Sequence, residues 1–269
     1  MELLLTKSLW GMEIASYNES FERIAKAGYK AVEAPLPAPE LESSFREALE
    51  AHGLRLIVMI FIPDENNRLE LFERDLKRAS TFNPLQVTCH ALKDFTPFDT
   101  QVEFFRAAVK LEQQLGIPVG HETHRGRPMF NPWDAAKLLE QVPGMNITAD
   151  FSHFCCVCES LLEDPELQSS LEVCIDRTIH IHGRVGYSQG PQVPDPRAPE
   201  YARELLAHEA WWDRIIAKRR AAGATNLTFT PEFGPIPYMP TIPYTHMPIS
   251  NLWDICLWMA QRFEGRYAQ

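Results

Sequence analysis

The sequence predicts a single (β/α)8 barrel over residues 1–269, and three observations carry that reading. Short runs rich in Val, Ile, Leu and Thr alternate with longer segments whose apolar residues recur at i, i+3, i+4 and i+7, as expected for strands alternating with helices buried on one face. The alternation repeats eight times. The chain length is close to the about 250 residues usual for such barrels. An open doubly wound sheet is built from the same alternation, but no G-x-G-x-x-G turn follows the first strand, so a dinucleotide-binding fold has little support.

The first strand candidate runs from Leu3 to Trp10. A helix over SYNESFERIAKAG follows, with Phe21, Ile24 and Ala25 as its apolar stripe and Gly28 as its stop. Strand two is YKAVEAP. The helix ELESSFREALEAHG ends at Gly53, and LRLIVMIFIP is an unbroken apolar run suited to a strand covered on both faces. A charged amphipathic helix around LELFERDLKRA leads to strand four in LQVTCHAL, and the helix FDTQVEFFRAAVKLEQQLG ends at Gly116. The second half keeps the rhythm. IPVGHET precedes WDAAKLLEQV, MNITADF precedes a helix over SLLEDPELQSSLEVC, RTIHIHG precedes YARELLAHEAWWDRIIAKRRAAG, and NLTFTPEF precedes NLWDICLWMAQRF. The longest irregular stretches, GRVGYSQGPQVPDPRAPE and FGPIPYMPTIPYTHMPIS, follow strands seven and eight. Proline stiffens them, and long loops on one barrel face are usually functional.

A net charge of -10 and a pI near 5.4 leave no global basic field for a polyanion. A small-molecule partner is therefore expected, and nucleic acid is not. MELLLTKSLWGM lacks the basic start and small-residue cleavage site of a signal peptide. No apolar run approaches the ~18 residues of a membrane span. A soluble, cytoplasmic protein is the expectation. Three of the six cysteines crowd into FCCVC, as Cys155, Cys156 and Cys158, and reduced thiols are expected there, without a second pair that would complete a zinc site. Trp211 and Trp212 point to barrel packing or to a subunit contact in a homo-oligomer. No G-x-S-x-G elbow or P-loop appears, which argues against familiar hydrolase and kinase chemistry.

Polar residues gather at the carboxyl ends of the later strands. Glu122 ends strand five, Asp150 strand six and Glu232 strand eight, while His180 and His182 lie two apart on strand seven. The carboxyl ends form the active-site face of such a barrel, so four consecutive strands each deliver a ligand-type side chain to one rim. A lone charged residue ending a strand is most often a cap or a solvated loop group; four in register are harder to explain that way. Oxygen-rich ligation with one imidazole suits one divalent ion, Mn2+, Mg2+ or Co2+, with Zn2+ also compatible. The period of two turns both histidines to the same side, and His182 lies one pleat nearer the rim, which makes it the expected ligand. The same parity places Glu122 and His124 on one side of strand five, with His124 placed to touch substrate, and His121 on the other. His153 and Arg184 are placed to reach a substrate hydroxyl or oxyanion. Arg125 and Arg127 belong to a loop where solvation is the simpler role. Glu33 is placed to face either the pocket or a salt bridge under the rim, and Trp10, Phe61, Phe151, Tyr187, Phe233 and Tyr238 are candidates to wall a cavity.

VGHETH, TADFSH, HIHGRVGY and PEFG, in this order on strands five to eight, resemble the sugar isomerase and epimerase family with the xylose-isomerase-like barrel. That family also contains endonuclease IV, hydroxypyruvate isomerase, ketose 3-epimerases and inosose dehydratase. The resemblance spans essentially the whole chain. Carried onto this sequence, the ketose 3-epimerase pattern implies that Glu122, Asp150, His182 and Glu232 bind one divalent metal, typically Mn2+, and that His153 contacts substrate. The epimerases' arginine six residues after the metal histidine is Ser188 here, with Arg184 available to approach from a different angle. The extra ligands of a three-zinc endonuclease are not evident. The activity implied is isomerisation or epimerisation of a sugar or keto-sugar through an enediolate stabilised by the metal, with Glu122 and Glu232 moving the proton. Loss of a hydroxyl from the same carbanion makes a lyase or dehydratase acting on a keto-sugar or keto-inositol the alternative. A sugar-binding barrel without chemistry is the rival outside catalysis.

Overall fold

The computed structural model describes residues 1–267. Eight parallel strands, β1 (Glu2–Ser8), β2 (Ala31–Pro35), β3 (Arg55–Phe61), β4 (Gln86–His90), β5 (Val119–Glu122), β6 (Asn146–Ala149), β7 (Thr178–His182) and β8 (Asn226–Thr230), pair in chain order, and β8 closes back onto β1. Around them lie α1 (Tyr17–Lys26), α2 (Glu42–Ala51), α3 (Arg68–Ser80), α4 (Phe98–Leu115), α5 (Pro132–Gln141), α6 (Ser152–Val157), α7 (Gln168–Asp176), α8 (Ala202–Ala221) and α9 (Leu252–Tyr267). This is the (β/α)8 barrel that the alternating pattern predicts.

Local chemistry sets many of the boundaries. The Ser16 hydroxyl accepts from the Glu19 amide to start α1, and the Asn131 side chain accepts from the Asp134 amide to start α5, with Pro132 in its first turn. Two boundaries differ from the sequence reading. β1 stops at Ser8, so Trp10 lies in the turn beyond it. Of the helix expected over SLLEDPELQSSLEVC only the second part is helical, as α7 from Gln168, and SHFCCV just before that stretch forms the separate α6. Pro165 explains the gap, because it donates no hydrogen bond and its ring blocks a preceding turn; it opens a short 3-10 turn capped by Asp164.

Alternation along the strands separates two layers. Val87, Cys89, Val119, Ile147, Ala149, Ile181 and Phe229 join the apolar core under the helices. There Phe229 stacks on Phe263 of α9, with centroids 3.8 Å apart. Trp211 and Trp212 are buried in that core, the packing role of the two anticipated for them. The barrel interior is polar instead. Thr88 donates to Glu33 at 2.8 Å, Thr148 to the Gly120 carbonyl at 3.3 Å, and His180 Nδ1 lies 2.6 Å from the Thr228 hydroxyl. A side chain at Gly120 would collide with Thr148, including its backbone nitrogen at 2.9 Å, so glycine is what lets β5 and β6 approach there. All six cysteines are free thiols. Among the described residues no helix is long and apolar enough to cross a membrane.

Candidate metal centre and substrate cavity

Strand ends bring the four expected ligands together. Glu122 and His182 are the last residues of β5 and β7, Asp150 follows β6 directly, and Glu232 lies two residues past β8. All four are buried, and each offers a donor atom within 4.8 Å of the others.

The hydrogen bonds of His182 set its orientation. Nε2 lies 3.0 Å from Glu33 Oε1, and a carboxylate can only accept, so Nε2 carries a proton. Nδ1 is thereby turned toward Glu232 Oε2 at 3.0 Å and Glu122 Oε1 at 3.4 Å, yet it has no aligned hydrogen-bond partner. Glu33 also accepts from Thr88 and meets His180 Nε2 at 3.3 Å. Burial pushes the Glu33 carboxyl up, but His182 and His180 outweigh it and hold Glu33 well below the usual carboxylate range. Glu33 therefore lies under the rim, the second of the two placements its sequence position allowed.

Asp150 is held from both sides. The Ser152 amide and hydroxyl reach Oδ1 at 3.1 and 2.5 Å, and Arg184 Nη2 and Nε reach Oδ2 at 2.5 and 3.1 Å. Arg184 Nη2 also meets Glu232 Oε2 at 3.0 Å, while Nη1 has no protein partner. The guanidinium is fully buried and lies 4.7 Å from the Tyr238 ring centroid. Its pKa is lowered by burial but raised overall by Asp150 and Glu232.

Charge counting identifies what this set would accept. Four buried carboxylates, Glu33, Glu122, Asp150 and Glu232, face one arginine, which leaves the protein atoms short of positive charge. Burial raises Asp150 to about 6, with Glu122 and Glu232 adding to the rise and Arg184 opposing it. Burial also resists charging His182, but Glu232, Glu33 and Glu122 override it and raise that imidazole well above its ordinary value. Both shifts favour the protonated form, the direction imposed by a site short of positive charge. A divalent ion would supply the missing charge through three oxygens and the unpartnered Nδ1, a donor set suited to Mn2+ or Mg2+. The residues present fit such an ion.

The remaining expected site residues lie around this set. His153 is fully buried, with Nε2 3.3 Å from Arg184 Nη2 and 3.7 Å from Asp150 Oδ2. Its ring is 3.9 Å from that of half-buried His124. His124 Nε2 lies 3.3 Å from the Tyr238 hydroxyl. Burial lowers His124 to about 4 and His153 well below the usual histidine range, so both are neutral imidazoles near pH 7. His121 points away, as strand parity requires, and bonds Glu112 of α4 at 2.9 Å.

Sequence reasoning missed His90. It is the last residue of β4, its Nε2 is 2.6 Å from Glu122 Oε2 without hydrogen-bond alignment, and it stacks on Phe61 at 4.6 Å. The signal was present in LQVTCHAL, a histidine at a strand end beside strand five.

Above the set opens a cavity of about 730 Å3. Glu122, Glu232, His90, His124, Arg184 and Tyr238 line its polar end, whereas Asp150, His182 and His153 lie behind that wall. Arg127 also lines it and donates to the Leu92 carbonyl, and Arg125 lies over Tyr238. Of the six candidate aromatic residues, Trp10, Phe61 and Tyr238 reach the cavity. Phe151 and Phe233 belong to the apolar core, and Tyr187 pairs across a turn with Gly190.

Comparison with known proteins agrees with this architecture. Residues 21–192 match the family model described as xylose isomerase-like TIM barrel. Among curated proteins none matches the sequence significantly. A probable 3-DHS dehydratase of Bacillus anthracis superposes with a TM-score of 0.65 at 15% identity, covering 99% of this chain and 100% of that one. A xylose isomerase-like TIM barrel protein of Mycobacterium smegmatis in complex with magnesium gives 0.62 at 12% identity, covering 96% of this chain and 94% of that one. A sugar phosphate isomerase/epimerase of Parabacteroides distasonis gives 0.55 at 14% identity, covering 85% and 86%. At these identities the likeness is one of fold.

Proposed function

The chain belongs to the xylose isomerase-like TIM barrel family, and on that premise we propose that it is a divalent-metal-dependent isomerase or epimerase of a sugar or keto-sugar. One observation carries the proposal: two glutamates that line an open cavity converge with an aspartate and an unpartnered imidazole nitrogen just behind its wall, in a set short of positive charge. A divalent ion held by Glu122, Asp150, His182 and Glu232 would supply positive charge against substrate oxygens on which negative charge develops.

The protein groups divide the remaining work. Glu33 fixes the tautomer and ring direction of His182. Glu122 and Glu232 both line the cavity, so one takes the proton from the carbon beside a carbonyl and the other returns one to the same or the adjacent carbon. Return to the same carbon epimerises, and return to the adjacent carbon isomerises. Arg184, with Nη1 unpartnered, and neutral His124 hold substrate oxygens. His153 supports both from behind.

Elemental analysis together with turnover in deuterium oxide tests the proposal. The expected result is one divalent ion per chain, loss of turnover with EDTA, and deuterium at the carbon that exchanges. Protein that holds no stoichiometric metal and is indifferent to EDTA would sink it. A product lighter by water or by an aglycone would replace the isomerase with a lyase at the same site.

A further inference from the structure

The cavity is less polar at one end than a sugar alone requires. Its volume of about 730 Å3 falls within the roughly 300–1,000 Å3 range of ligand pockets. Its charged groups lie at the end formed by β4–β8, and Tyr17 of α1 is the one hydroxyl side chain lining the other end. The opposite end is built by the segments that follow β1 and β2 and by β3, and its wall includes Leu9, Ile14, Leu36 and Met59 with the aromatic rings of Trp10 and Phe61. These offer sugar hydroxyls almost no hydrogen-bond partners.

This apolar end is preformed. The six-membered ring of Trp10 packs against Gly234, where any side chain would overlap it, and meets Tyr238 edge-on at 5.2 Å. Phe61 is fixed by its stack on His90. Pro35, the last residue of β2, and Pro37 just beyond it stiffen the part of the wall that closes there. Even so, Trp10 is 37% and Phe61 51% exposed, although they face a cavity and are held in place. Large rings kept rigid and solvated beside a polar centre mark a surface awaiting an apolar occupant.

We infer that the substrate carries, beyond the sugar head that the proposed metal centre handles, a ring-sized apolar substituent that lies against Trp10, Leu36, Met59 and Phe61. The substrate class is thus a keto-sugar bearing that substituent, such as a keto-glycoside whose carbonyl lies on the sugar ring, rather than a free monosaccharide. This rests on the metal and sugar reading above and adds the second half of the ligand.

The test uses the full chain loaded with Mn2+ and matched phenyl and methyl pyranosides of glucose, galactose and xylose, with binding followed by calorimetry. For at least one sugar, the phenyl form should bind about 30-fold more tightly than the methyl form, the order expected for burying one phenyl ring. Ala38→Trp, which fills the apolar end, and Leu36→Ala, which removes part of its wall, should shrink that preference, and metal content should stay unchanged. Equal affinity of phenyl and methyl forms on metal-loaded protein would overturn the inference and leave the sugar reading standing. Binding of neither form, with no metal retained, would overturn both. A phenyl preference that survives both variants would place the ring elsewhere and also overturn it.

Discussion

From β5 to β8 every strand end brings a charged or ligating group to the rim, namely Glu122, Asp150, His182 and Glu232, whereas after β1, β2 and β3 the corresponding positions bring Trp10, Leu36 and Phe61. Neighbouring strands are about 4.8 Å apart, so consecutive strand ends readily bring donors to one small ion. The opposite arc of the closed barrel faces them across the cavity and is free to supply shape. Two residues cross this division. His90 brings an imidazole to Glu122 from β4, and Glu33 reaches His182 from β2 through the barrel interior.

The contrast is broken most directly at the charged arc. Glu122→Gln and Glu232→Gln keep size and remove the carboxylate's basicity, so each should lower kcat by about 10³-fold on a sugar that the wild type turns over. Circular dichroism should stay unchanged. A variant that retains a tenth of the wild-type rate would remove that residue from proton transfer.

Much of this arrangement was legible in the sequence, for identifiable reasons. Strand and helix periods reveal the barrel because each element is apolar on its own terms, and parity along β5 and β7 turns His121 outward and leaves His182 at the rim without reference to the rest of the chain. Glu33 was not decidable in this way. Its partners His180 and His182 lie 147 and 149 positions away, and only closure of β8 on β1 brings β2 opposite β7. His90 was within reach of the same strand-end argument but stood outside the four-strand set. The break at Pro165 was legible from proline chemistry, and the apolar continuity of SLLEDPELQSSLEVC hid it.

Acid should loosen the charged arc before the apolar one. His208 of α8 is buried; its Nδ1 donates to the Glu204 carbonyl at 2.8 Å, and its Nε2 accepts from the Gly186 amide at 3.2 Å, which ties down the loop after β7. Burial lowers its pKa from 6.5 to about 4. Between those values the unfolded chain binds more protons than the folded one. The stabilisation is therefore complete above the unfolded value and is lost as pH falls toward 4, about 3 kcal/mol in all. Urea unfolding at pH 7 and 4.5, with hydrogen exchange at Gly186, reads this directly. His208→Gln should flatten the dependence, and an unchanged slope in that variant would refute the assignment.

A smaller effect tests the crossing from β2. Glu33→Gln keeps an acceptor for His182 but removes the charge that supports it, so metal affinity in a chelator competition should weaken about 10–100-fold. Leu36→Ala, three residues along the same segment, should leave metal affinity untouched. Equal effects of the two would mean that Glu33 acts only through packing.

The smallest effect belongs to the apolar arc itself. Met59 is buried in β3 and lines the cavity with a side chain that has no hydrogen-bonding duty. Met59→Leu preserves volume and polarity, so it should cost less than about 1.5 kcal/mol in urea unfolding. Metal content and the rate of proton exchange on a bound sugar should not change, because no donor atom has moved. Glu232→Gln is as conservative in shape and lies at the far end of the same cavity, yet it removes a charge that the ligand set requires. If the two substitutions impaired catalysis equally, the rim could not be divided into an arc that performs chemistry and an arc that supplies shape.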